Sequence, residues 1–341
     1  MVPGISVAPE LAPLVPYCFL ACYVAFVLSK PSRLQWLLVS AAGVALGLIA
    51  VSFHLGPWVS GLGLAAALWA VIAPYAGKKT IHPAIAVVAV YPPIASAALL
   101  ALHPHGGMVL DRYLLAADGS LGLQPGFLTA AFLLSHPIVK QICEASYFGL
   151  PVALTSLLHT TSAKEVVYLT LLLAASSVAG FMFFPAVGAQ AAFHDQFPLN
   201  PPVTDASFGS AVFEPGSLPR NFMPSMHAAW GIALLLGAWP LGRYWRTGAV
   251  IYLASMLLYA LASHYFFDIV VAVPWAFMVR SVLKKQWRVL PVYGAMVAAW
   301  LVLIRFGSPY LYLSSMVPWG LAAATIAAPA LIERRAVLRV G

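Results

Sequence analysis

The chain has 341 residues, of which 62% are hydrophobic and 8% are charged, and its formal net charge is +8. Soluble domains carry about 25% charged residues, so this composition excludes an ordinary water-soluble protein. The basic residues lie in short clusters between apolar segments, a pattern typical of membrane orientation signals, and we expect no nucleic-acid partner. The three cysteines fit neither a disulfide framework nor a metal site.

Apolar segments long enough to cross a bilayer recur along the whole chain. They are expected at 13–29, 35–52, 57–76, 82–102, 137–158, 165–184, 225–241, 246–262, 264–283, 288–304 and 310–332. The sequence therefore predicts an all-α, polytopic transmembrane helix bundle with about eleven spans.

Charge is distributed unevenly between the two sides of this predicted bundle. Alternate loops and the carboxyl tail hold 14 of the 18 lysines and arginines, whereas eight of the ten acidic residues fall on the opposite side. Because basic loops stay in the cytoplasm, we expect an extracytoplasmic amino terminus and a cytoplasmic carboxyl terminus.

Two longer segments stand out on the outer side. In the stretch 103–136, Tyr, Leu and Ala side chains between 111 and 119 can form one apolar face, which predicts a helix lying in the membrane interface. Asp111 and Arg112 are expected there as a surface pair. The stretch 185–224 is rich in Pro and Gly, so we expect an irregular loop that covers a cavity.

The string Ser263-His264-Tyr265-Phe266-Phe267-Asp268 opens one of these spans. His264 and Asp268 are four residues apart, so on a helix they share one face. The carboxylate can accept the Nδ1–H of the imidazole, which orients Nε2 as a nucleophile suited to phosphorus. The alternative is a helix-end histidine bonded to a backbone carbonyl, with Asp268 as a local partner.

The string Pro224-Ser225-Met226-His227 opens an earlier span. Ser225 is placed as a helix N-cap, and the helix start behind it offers N–H groups to an anion. His227 falls in the first turn, where it can donate a proton to a leaving oxygen. One further span separates the two strings, so both are expected on the same, extracytoplasmic face.

Few cations are predicted on that outer face. Arg220 lies four residues before Pro224 and can reach a phosphate held by the helix start, while Lys140, one turn before Glu144, opens the fifth span. We expect Arg220, Ser225 and Lys140 to bind phosphate oxygens.

The two strings resemble the second and third motifs of the type-2 phosphatidic acid phosphatase superfamily. Those motifs read Pro-Ser-Gly-His and Ser-Arg, five residues, His, three residues, Asp. The resemblance implies that His264 is the nucleophile, that Asp268 orients it and that His227 protonates the leaving group, with no cofactor and no metal. It also implies a six-helix catalytic core at 103–283, flanked by transmembrane helices at 1–102 and 284–341.

Several positions depart from the superfamily pattern. Met226 replaces the motif glycine, residues 257 and 258 are both Leu where Ser-Arg is expected, and no Lys followed at the right distance by Arg-Pro precedes the second motif. These departures resemble the inositol phosphorylceramide synthase branch, as do the stretches 184–193 and 118–122. That branch implies a phospholipid donor and a lipid or polyol alcohol as acceptor.

Three alternatives stay open at this point. A lipid phosphate phosphatase would use water as the acceptor. A transporter or flippase could use the same polar residues, although they cluster at helix ends on one face rather than at the midplane. A metal site of His227, His264 and Asp268 is permitted by the spacing, but the sequence offers no convincing further ligand.

Overall fold

The computed structural model describes residues 109–157, 160–208 and 223–338, and this part of the chain is helical and contains no strand. The first four predicted spans, between 13 and 102, lie outside the described residues. In chain order the helices are α1 Asp111–Gly119, α2 Pro125–Ser135, α3 Pro137–Phe148, α4 Leu150–Ser156, α5 Ala163–Phe183, α6 Ala189–Ala192, α7 Met226–Ala238, α8 Arg243–Ser263, α9 Phe266–Leu283, α10 Leu290–Phe306, α11 Ser308–Leu311 and α12 Met316–Leu338.

Several of these helices have the length and composition of membrane spans. Among the described residues, α8, α9 and the Met316–Glu333 part of α12 are long and apolar enough to cross a bilayer, while Met226–Leu241 and α10 are shorter apolar helices. Each of the predicted segments 165–184, 225–241, 246–262, 264–283 and 288–304 is largely helical. The all-α membrane class is therefore confirmed, and the number of spans stays a prediction.

The predicted segment 137–158 is largely helical, as α3 and α4, and it is preceded by a helix, α2, in the stretch expected to be a loop. Helices α2 and α3 meet at His136 with a bend of 120°, and α3 ends at Phe148 before α4 begins at Leu150. Proline occupies the first position of both α2 and α3. Because a proline disfavours helical backbone in the residue before it, His136 adopts φ −127° and ψ 73°, and the chain turns there.

Helix α1 is part of the core rather than a helix in the membrane interface. Its residues Leu114, Leu115, Ala116 and Ala117 are at most 1% exposed, and the helix packs against α9, α10 and α11. The predicted surface pair of Asp111 with Arg112 is also wrong. Asp111 is fully buried, and the guanidinium of Arg112 lies 4.8 Å from the centre of the Phe208 ring.

Helix α9 carries ionisable groups at both ends and apolar residues between them. Near its carboxyl end, Arg280 pairs with Glu165 of α5 at 2.9 Å and with Glu333 of α12 at 2.8 Å. Asp268 lies twelve residues earlier, about 18 Å along the helix axis. These pairs join α5, α9 and α12 at the end of the bundle away from His264.

A close approach between α5 and the start of α7 fixes the segment before α7. A Cβ atom on Gly180 would lie 2.6 Å from Cδ of Pro224, which is tighter than van der Waals contact allows. The glycine therefore lets Pro224, and with it the adjacent Ser225, pack directly against α5.

Candidate active site

A buried polar contact in the apolar bundle joins His264 and Asp268. Helix α8 ends at Ser263, His264 adopts extended backbone, and α9 begins at Phe266. Nδ1 of His264 lies 2.5 Å from Oδ2 of Asp268, and their exposed fractions are 4% and 0%. An ionised carboxylate only accepts hydrogen bonds, so the imidazole proton is on Nδ1 and Nε2 presents its lone pair. The predicted geometry of this pair is thus present.

The string 224–227 lies beside this pair. Oγ of Ser225 accepts a hydrogen bond from the backbone N–H of Ala228 at 3.3 Å, which makes Ser225 the N-cap of α7 as the sequence predicts. The backbone N–H of Ser225 also faces the carbonyl oxygen of Asp268 at 3.5 Å. The ring centre of His227 is 6.5 Å from that of His264, so the structure brings both histidines to one place.

Tyr147 of α3 contacts both histidines, and the sequence reasoning missed it. Its hydroxyl lies 3.1 Å from Nε2 of His264, and its ring stacks on His227 with centres 3.8 Å apart and an interplanar angle of 18°. Tyr147 is 117 residues from His264 in sequence. No local pattern could connect them, although Tyr147 lies seven residues, two helical turns, after Lys140 and therefore on a similar face of α3.

Asp118, the second residue that the sequence reasoning did not place, holds the start of α9. Its Oδ2 accepts the backbone N–H of Phe266 at 2.8 Å and its Oδ1 that of Phe267 at 3.3 Å. The first N–H groups of a helix have no partner within it, so a carboxylate there satisfies donors that are otherwise orphaned. Burial nevertheless raises the pKa of Asp118 to about 8.

Asp111, the other buried acid of α1, contacts Tyr265, the residue that follows His264. It accepts the hydroxyl hydrogen of Tyr265 at 2.9 Å and the backbone N–H groups of Val187 and Gly188, at 3.0 and 2.8 Å. Burial raises the pKa of Asp111 to about 6, while these hydrogen bonds act in the opposite direction. The two acidic side chains of α1 thus hold Tyr265, Phe266 and Phe267, the three residues that follow His264.

The remaining predicted residues are not all at this site. Lys140 is partly exposed on α3, and it forms no ion pair with another described residue. Arg220 lies outside the described residues. His194 pairs with Asp195 on the surface, where both side chains are at least 74% exposed. Within the described residues, no three His, Cys, Asp or Glu side chains are grouped so that they could hold a metal ion.

This arrangement can carry out nucleophilic chemistry in an apolar setting. An imidazole oriented by a carboxylate, with a second imidazole nearby as a proton donor, is suited to displacement at an electrophilic centre. The fold and the site together define a helical membrane enzyme.

The chain matches the PAP2 superfamily over residues 112–282, which is half of its length, and it belongs to that superfamily. Members of the superfamily are phosphatases or phosphotransferases, so the protein is an enzyme of one of these two kinds. The matched segment contains Tyr147, His227, His264 and Asp268. No curated protein and no solved structure matches the chain.

Proposed function

We propose that the protein is an integral-membrane lipid phosphotransferase that works through a phosphohistidine on His264. It moves a phosphoryl or phospho-headgroup, such as phosphoinositol, from a phospholipid donor to a lipid or polyol alcohol. The observation that carries the proposal is the buried contact of 2.5 Å between Nδ1 of His264 and Asp268, with His227 nearby.

The first half-reaction proceeds as follows. The lone pair on Nε2 of His264 forms a bond to phosphorus, and the bond from phosphorus to the leaving alcohol oxygen breaks. Protonated His227 gives its proton to that oxygen, while the negative charge of the bound phosphate favours the protonated imidazole. Asp268 stabilises the positive charge that develops on the His264 ring.

The second half-reaction regenerates the enzyme. The acceptor alcohol attacks phosphorus, its proton passes to His227, and the N–P bond breaks. Arg220, the helix start at Ser225 and Lys140 are proposed to bind the phosphate oxygens as charge builds on them. With water as the acceptor, the same steps make the enzyme a lipid phosphate phosphatase.

The transferase rather than the phosphatase is favoured by the resemblance to the inositol phosphorylceramide synthase branch, in which Met226 stands where phosphatases of the superfamily have Gly. The catalytic core is proposed at 103–283, with transmembrane helices at 1–102 and 284–341. The charge asymmetry supports an active site on the extracytoplasmic face, with a cytoplasmic carboxyl terminus. A topology reporter inserted after Pro201 should therefore read as extracytoplasmic.

The test is turnover of labelled phosphatidylinositol by the purified full-length protein in detergent, with and without ceramide. His264→Ala should lower turnover at least about 10³-fold, and Asp268→Asn and His227→Ala about 10²–10⁴-fold. His194→Ala is the matched control because His194 is an exposed histidine, and it should keep wild-type activity.

Two products distinguish the outcomes of this assay. Transfer of phosphoinositol to ceramide supports the transferase, whereas release of inorganic phosphate from labelled phosphatidic acid, offered in place of phosphatidylinositol, supports the phosphatase. A chelator should leave turnover unchanged, and a loss of turnover would favour a metal site instead. Full activity of His264→Ala would overturn the proposal.

A further inference from the structure

The position of Tyr147 raises a question for any reaction at His264. The Tyr147 side chain is buried, its ring is stacked on His227, and its hydroxyl contacts Nε2 of His264. Since Asp268 fixes the proton on Nδ1, Nε2 is the hydrogen-bond acceptor and the Tyr147 hydroxyl is the donor. The lone pair that would attack phosphorus is therefore engaged by Tyr147.

The distance shows that the tyrosine and a substrate cannot share this position. Reacting atoms in a near-attack geometry are about 3–3.5 Å apart. The Tyr147 oxygen lies 3.1 Å from Nε2, so it stands where the phosphorus of a bound substrate would have to be. The hydroxyl must leave this position before the N–P bond can form.

We propose that Tyr147 covers Nε2 of His264 in the resting enzyme and transfers its hydrogen bond to a non-bridging phosphoryl oxygen when the substrate enters. This inference rests on the proposed function. In the reaction the N–P bond forms, the P–O bond to the leaving alcohol breaks, and His227 supplies the proton to that alcohol. Tyr147 keeps its own proton and donates a hydrogen bond to the oxygen on which negative charge develops.

Contacts of the residue before Tyr147 hold α3 in place, so the movement falls on the Tyr147 side chain. The preceding residue, Ser146, is held by α8: the Tyr252 hydroxyl donates to the Ser146 carbonyl oxygen, and Oγ of Ser255 lies 2.8 Å from Oγ of Ser146. With the backbone fixed there, a shift of the phenol ring moves the hydroxyl from Nε2 to an adjacent phosphoryl oxygen. A buried donor aimed at developing charge acts in a medium of low dielectric constant, where it has a large effect.

Two opposing effects are expected when the hydroxyl is removed. Because Nε2 no longer accepts this hydrogen bond, its rate of reaction with an electrophile should rise about 3–10-fold. The loss of a donor to the transition state costs about 10²-fold in kcat. The second effect is larger, so Tyr147→Phe should be slower with the lipid substrate although its nucleophile is more reactive.

The experiment compares wild type, Tyr147→Phe, Tyr259→Phe and His264→Ala in the full-length protein. Tyr259→Phe is the matched control, because the Tyr259 ring packs 5.1 Å from Tyr147 while its hydroxyl faces Glu144 instead of His264. The first readout is kcat for phosphatidylinositol. The second is the rate at which diethyl pyrocarbonate modifies His264, measured by mass spectrometry.

Tyr147→Phe should lower kcat about 10²-fold and speed the modification of His264 about 3–10-fold. Tyr259→Phe should change neither readout by more than about threefold. A kcat of Tyr147→Phe within threefold of wild type overturns the inference, and so does an unchanged modification rate. If His264→Ala keeps full turnover, the proposed function itself fails, and that result is independent of the tyrosine variants.

Discussion

Removal of the Asp118 side chain should lower the stability of the protein, because Asp118 caps the end of α9 that lies at the active site. Asp118 is 1% exposed, and its oxygens accept the backbone N–H groups of Phe266 and Phe267. In Asp118→Ala the part-buried N–H of Phe266 and the buried N–H of Phe267 lose their partner, at a cost of about 1–3 kcal/mol each. Relief of the desolvation of the buried carboxyl group offsets part of this, so we expect a net loss of about 2–4 kcal/mol in the free energy of unfolding.

The assay is thermal unfolding of the purified protein in detergent, followed by tryptophan fluorescence. For a chain of 341 residues the entropy of unfolding is about 0.7 kcal/mol/K, so a loss of about 3 kcal/mol lowers Tm by about 4 °C. Asp118→Asn keeps one acceptor oxygen and should lose about half as much. Asp195→Ala is the control, because Asp195 is 85% exposed, and it should leave Tm unchanged. If Asp118→Ala unfolds at the temperature of the Asp195 variant, the capping role of Asp118 is refuted.

Two further predictions concern pH and packing. Since burial raises the pKa of Asp118 to about 8, above its ordinary value of about 3.9, the folded state binds more protons between these values. The stability that proton binding to Asp118 contributes is fully present below about pH 4 and is lost as the pH rises towards 8. Tm of the wild type should therefore fall relative to Tm of Asp118→Asn across this range. A constant or opposite difference would contradict the raised pKa of Asp118. Gly180→Ala should lower the free energy of unfolding by about 1–3 kcal/mol, since the added Cβ would lie 2.6 Å from Cδ of Pro224. Gly248→Ala is the control, because nothing lies within 4 Å of the added Cβ, and its higher helix propensity should raise the free energy of unfolding by up to about 1 kcal/mol. Equal Tm shifts for the two glycine variants would show that the packing at Gly180 is loose.

The local parts of the site could be predicted from the sequence. The spacing of His264 and Asp268 predicts the contact that the structure shows, and Ser225 caps α7 as its residue type and position indicate. These features depend on a few neighbouring residues and on helix geometry alone. The helical membrane class is also predictable, because long apolar segments and few charged residues are compatible with few other fold classes.

The long-range parts of the site could not be predicted. Asp111 and Asp118 appear in the sequence as acids on an amphipathic helix. Only the tertiary structure shows that backbone N–H groups more than 70 residues away donate hydrogen bonds to them. Every residue carries a backbone N–H, so these contacts leave no side-chain pattern. Tyr147 is one of 14 tyrosines, and its contact with His264 depends on how α3 packs against α8.

Helix α2 and the bend at His136 are a different case, because the sequence contained the necessary signal. Pro125 and Pro137 each favour the start of a helix and disfavour helical backbone just before it. Hydropathy alone joined the residues after Pro137 into one span and left the helix before it in a loop. Proline positions should therefore take precedence over hydropathy when span boundaries are assigned in this chain.

The contact between Asp118 and the first turn of α9 sets a minimum length for any fragment of the chain that keeps the turn carrying His264 in its native shape. The donor and acceptor residues are 148 positions apart, so the turn is completed by a segment made long before it during synthesis. A peptide containing only α8, His264 and α9 would expose two backbone donors to an apolar environment and would not hold the imidazole in place. The smallest excised unit that keeps this geometry has to begin before residue 111, and the turn can reach its final shape only after α1 has docked.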